Sequence, residues 1–70
     1  MYRYLIVVEK SHNNYSAYSP DLPGCIATGP TVEEVKERMQ TAITMHVQGL
    51  LEDHLSIPEP QSFAEYVAIQ

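Results

Sequence analysis

Few side chains in this sequence have the potential for chemistry. Glu9, Asp21, Glu33 and Glu34 are the acids that, if they converged, could hold the two divalent ions ~3.5–4 Å apart that a metal-dependent nuclease uses to activate water. His12, His46 and His54, with the single cysteine Cys25, are the candidates for a metal site or a nucleophile. Their positions favour structural roles instead. Glu34 stands three residues after Thr31, the spacing of a capping box, and Glu33 beside it suits the positive end of a helix dipole. Asp21 lies between Pro20 and Pro23, where a short polar side chain serves a turn. The histidines lack metal-ligand spacing such as i, i+4 on one helix. His46 falls on an apolar stripe, and His54 falls in a last helical turn, where a cation suits the dipole. Cys25 has no identifiable base and reads as a small apolar residue of a reducing compartment. The expectation is no catalytic residue, no metal, no cofactor and no enzymatic activity.

With 70 residues the chain makes one domain, expected over residues 1–70. A core of this size is thin and has no disulfide to reinforce it, which makes self-association a natural source of stability. The net charge is −5, and the basic residues Arg3, Lys10, Lys36 and Arg38 are scattered. A protein that grips a phosphate backbone needs a basic patch, so direct nucleic-acid binding is not expected. An acidic surface suits a basic protein partner, and it also keeps a small domain in solution. The apolar runs are too short for a membrane span, and the start of the chain alternates like a strand rather than like a signal peptide. The expected location is the cytoplasm.

The elements that would position these residues are organised around Tyr18-Ser19-Pro20-Asp21-Leu22-Pro23-Gly24-Cys25. Proline fixes φ and glycine supplies a positive φ, so Pro20 to Gly24 predicts a stiff, shaped connection between two strands. Before it, Tyr2 to Glu9 is rich in β-branched and aromatic residues, with Tyr4, Ile6 and Val8 on one face. Lys10 to Asn14 predicts a hairpin turn into a second strand over Tyr15–Ser19, and Cys25–Gly29 predicts a third. From Thr31 the period becomes 3.6: Val32, Val35, Met39, Ala42, Ile43, His46 and Leu50 form one stripe of a helix running from Val32 to about Asp53. Ile57-Pro58-Glu59-Pro60 forces an extended exit, and Ala64–Ile69 predicts a last strand. The fold class is α+β: β-β-β-α-β, an antiparallel three- or four-stranded sheet with one long helix packed on one face. The tyrosines (Tyr2, Tyr4, Tyr15, Tyr18 and Tyr66) must supply much of the core bulk, because Phe63 is the only other aromatic residue.

The string from Tyr15 to Glu34, Tyr-x-x-Tyr-Ser-Pro-Asp-Leu-Pro-Gly-Cys-x-x-x-Gly-x-Thr-x-x-Glu, resembles the HicB-like antitoxin family. The resemblance continues through Ala42-Ile43 and Leu50-Leu51-Glu52 to the Ile57-Pro58-Glu59-Pro60 exit. It implies a partial RNase-H-like fold that performs no catalysis. It also implies a partner: a HicA-like toxin, a small basic mRNA-cleaving ribonuclease whose catalytic surface the antitoxin covers. Many members of the family carry a C-terminal DNA-binding domain, and none is expected here.

On exposure and charge, the candidates for toxin contact are Asp21 and Leu22 in the proline loop and Glu33 and Glu37 at the start of the helix. Leu51 and Leu55 lie off the main apolar stripe late in the helix and are the candidates for self-association into a homodimer or tetramer. The alternative reading is an orphan binding module, without a toxin, for a small molecule or a regulatory partner.

Overall fold

The computed structural model describes residues 2–70. Among them, β1 (Val7–Lys10), β2 (Tyr15–Tyr18) and β3 (Ile26–Gly29) form an antiparallel sheet in the order β1-β2-β3, followed by α1 (Val32–Glu52). Ser11 donates its N–H to the Asn14 carbonyl at 2.8 Å, which closes the β1–β2 hairpin where the Asn-rich turn was expected.

The helix begins where the sequence places it. Thr31 is extended (φ −133, ψ 161), and its Oγ1 accepts the Glu34 N–H at 3.1 Å. The Glu34 side chain turns along the helix instead and lies 3.8 Å from Arg38, so the Thr-to-backbone half of the capping box carries the cap. Arg38 also donates to the Thr28 carbonyl at 2.7 Å and ties α1 to β3. Gly29 permits this close approach, because a Cβ there would stand 3.2 Å from the Val35 backbone nitrogen.

The helix lies against β2 and β3. Ala17, Leu22, Cys25, Val35 and Met39 form the buried core, and Tyr4, Ile6, Val8, Tyr15, Ala27, Ala42 and Ile43 pack around it. The alternation within each strand sets this: the even residues of β1 and the odd residues of β2 and β3 share the face under the helix.

Two expectations at the ends are corrected. The first strand was expected from Tyr2, but ladder pairing starts at Val7, whose partner is Tyr18. Past Tyr18 the neighbouring strand turns into the proline loop, so residues 2–6 have no strand beside them. The last strand, Ala64–Ile69, does not form: residues 55–70 carry no regular structure. Its β propensity is sound, but no edge in the single chain receives it.

Candidate functional site

The loop from Ser19 to Cys25 is built from nested turns. Leu22 donates its N–H to the Ser19 carbonyl at 3.2 Å, and Cys25 donates to the Leu22 carbonyl at 3.1 Å. In the second turn Pro23 and Gly24 take the central positions, and Gly24 has φ +84, the type II pattern that only glycine adopts at no cost. These turns drive the Leu22 side chain inward until it is fully buried against the helix. Leu22, expected as a contact for a toxin, is therefore corrected to a core residue. A chain between two prolines reads as exposed, but the turn geometry makes Leu22 the plug of the core.

Asp21 points the other way and is also committed. Its Oδ2 accepts the N–H groups of Gln61 (3.1 Å) and Ser62 (3.0 Å), and its Oδ1 accepts the Ser62 hydroxyl at 3.0 Å. The Ser62 N–H, then the Ser62 hydroxyl and the Gln61 N–H, hold the Asp21 carboxyl below the usual aspartate range against an opposing desolvation. A second latch lies nearby, where the Tyr4 hydroxyl donates to the Pro58 carbonyl. Both latches pin the chain after the helix onto the proline loop and the N-terminal segment. As a toxin contact, Asp21 offers an occupied carboxylate rather than a free charge.

Glu33 and Glu37 are exposed near the start of α1, and Glu34 lies 3.8 Å from the Arg38 guanidinium. Glu9, Asp21, Glu33 and Glu34 do not converge, and no group of three or more His, Cys, Asp or Glu residues is placed to hold a metal among the described residues. Cys25 is buried, and burial pushes its thiol pKa up, the reverse of what a nucleophile needs.

Leu51 and Leu55 are each 56% exposed at the far end of the helix. His54, expected in the last helical turn, sits just past it in the left-handed region with φ 56. It donates its N–H to the Leu51 carbonyl, and Leu55 donates to the Leu50 carbonyl, the paired bonds of a Schellman cap. Histidine is among the few non-glycine residues enriched there. His46 is half-buried on α1.

Sequence reasoning missed the sheet face opposite the helix. Val7 pairs with Tyr18, and Tyr18 pairs with Ile26, so these three side chains form a row across the whole sheet. Tyr18 and Ile26 are 43% and 69% exposed. The next row, Glu9–Ser16–Thr28, is polar. Strand alternation already put Tyr18 on this face, but the row needed the pairing register to be seen.

Comparison with known proteins agrees with this architecture. A chain of the solved HicA3 and HicB3 toxin–antitoxin complex superposes with a TM-score of 0.70 at 25% identity, covering 84% of this chain and 70% of that one. An uncharacterised 14.9 kDa protein of Haemophilus phage HP1 is 34% identical over 64 residues, which are 91% of this chain and 48% of the phage protein. This chain thus spans about half the length of that relative. A UPF0150 protein of Synechocystis is 29% identical over 70 residues, covering 99% of this chain and 89% of its own length. The HicB-like antitoxins of bacterial toxin–antitoxin systems match residues 4–70, nearly the whole described chain, and the protein belongs to that family.

Proposed function

We propose that this protein is an antitoxin that binds a small basic RNA-cleaving toxin in the cytoplasm and covers its catalytic surface without catalysing a reaction itself. The observation that carries this reading is the likeness of fold and sequence to a chain of a toxin–antitoxin complex within an antitoxin family. The charge supports it. Every acid except Asp21 is exposed, and nine acids against four Lys and Arg residues leave a net charge of −5 that attracts a basic partner. Glu33 and Glu37 supply steering charge beside the helix N-terminus, and the Tyr18–Ile26 row supplies an apolar centre of the kind that anchors interfaces.

The test is co-expression with the proteins encoded beside this chain. The expected result is recovery of a small basic partner whose RNA cleavage stops when the complex forms. Glu33→Lys with Glu37→Lys then slows association and flattens its salt dependence. A chain that recovers no basic partner, or a partner that still cleaves RNA in the complex, would refute the proposal.

A further inference from the structure

The single chain exposes more surface than a protein of its mass should. Its accessible surface is 5850 Å² for 7.9 kDa, whereas a compact monomer of that mass exposes about 4,400 Å². Its radius of gyration is 13.6 Å, against about 11 Å for a compact chain of this length. The excess of roughly 1,400 Å² per copy exceeds the ~800 Å² per partner of a standard stable interface.

Much of it lies in one segment. Phe63 is 81% exposed, Tyr66 103%, Val67 78% and Ile69 86%, in a stretch whose composition is that of a strand. The chain also holds an unused receptor for a strand. β1 is an edge of the sheet, and residues 2–6 continue it past the end of β2 with no strand beside them. Ser62, Phe63 and Ala64 share a groove with Arg3, Tyr4, Leu5 and Ile6, so the unpaired segment departs beside that edge. The donor carries one charge, Glu65, and the receptor carries one of opposite sign, Arg3.

We propose that two copies of this chain exchange these segments. Residues 64–69 of each copy add to the sheet edge formed by residues 2–6 of the other, giving a closed two-fold dimer. One chain contains both donor and receptor, so two copies satisfy both at once, with no donor or receptor left over to propagate. The Asp21–Ser62 and Tyr4–Pro58 latches fix where each donor leaves its own body. This surface is separate from Leu51 and Leu55, and it does not depend on a toxin.

The test is the mass of the purified chain by sedimentation, together with amide hydrogen exchange. The wild type is expected to be a dimer with protected amides in residues 2–6 and 64–69. Val67→Pro removes an N–H and fixes φ at a residue that is 78% exposed in the single chain, so it should give a helical monomer with both protections lost. Arg3→Glu should weaken the dimer by about 5-fold, and adding Glu65→Lys should restore it. A monomeric wild type at high micromolar concentration would overturn the proposal, as would protection of residues 64–69 in a monomer, which would mean that the segment closes on its own sheet. A Val67→Pro dimer that Leu51→Asp with Leu55→Asp dissociates would also overturn it and assign self-association to the helix end.

Discussion

Leu22→Ala tests most directly whether the proline loop is a plug or a contact. Leu22 is among the largest fully buried side chains in a core of five buried apolar residues. Burying a leucine contributes roughly 1.5–3 kcal/mol, and truncation to alanine adds a cavity term, for a total of about 2–5 kcal/mol. A 70-residue domain has a total stability of about 3.5–10 kcal/mol. The variant should therefore lose about a fifth of its stability or more. The site cannot collapse to fill the void, because Pro20, Pro23 and the φ of Gly24 hold the loop in shape. Urea unfolding, followed by the far-ultraviolet signal of α1, reads the effect. With a slope near 1 kcal/mol/M for a chain this small, the midpoint should fall by about 2 M or more. Leu22→Met, which conserves volume, should cost less than about 1.5 kcal/mol and keep partner binding. A Leu22→Ala protein with an unchanged midpoint and weakened partner binding would refute the plug and return Leu22 to the surface.

His54→Gly should raise stability by about 0.5–1 kcal/mol, because glycine adopts the left-handed cap without strain. This would appear as a melting temperature higher by a few degrees. Gly29→Ala should lower stability by about 1–3 kcal/mol, because its Cβ meets the backbone of Val35 rather than a side chain that can yield; thermal melting checks it. The latch at Asp21 should be acid-sensitive. Its carboxyl titrates below the ~3.9 of an unfolded aspartate, so its contribution is complete above that pH and is lost as pH falls through the lower, folded value. Hydrogen exchange at Gln61 and Ser62 should accelerate in that acid range in the wild type and at neutral pH in Asp21→Asn.

Local rules carried most of the framework. The cap at Thr31, the helix of 21 residues and the hairpin at Asn13-Asn14 each follow from neighbouring residues, and each lies within a residue or so of its expected place. What the sequence hid is non-local. Residues 2–6 and 64–69 have the composition of strands, but a strand needs a partner, and pairing is decided by where Tyr18 ends and the proline loop begins. The burial of Leu22 depends on two turns acting together, and the commitment of Asp21 depends on a residue 41 positions away. His54 gave no signal because the residue expected at a left-handed cap is glycine.

The order in which these contacts span the chain bears on how the protein folds. β1 pairs with β2, β2 with β3, and α1 lies on β3 and β2, so each element meets its neighbours in sequence. Such short-range topology folds quickly, because little chain entropy is lost before contacts repay it. The latches reach furthest along the chain: Tyr4 to Pro58 spans 54 residues, and Asp21 to Ser62 spans 41. They should close after the rate-limiting step, so Ser62→Ala should speed unfolding while leaving the folding rate unchanged. The segment after the helix is then a late clasp on a body that is already formed.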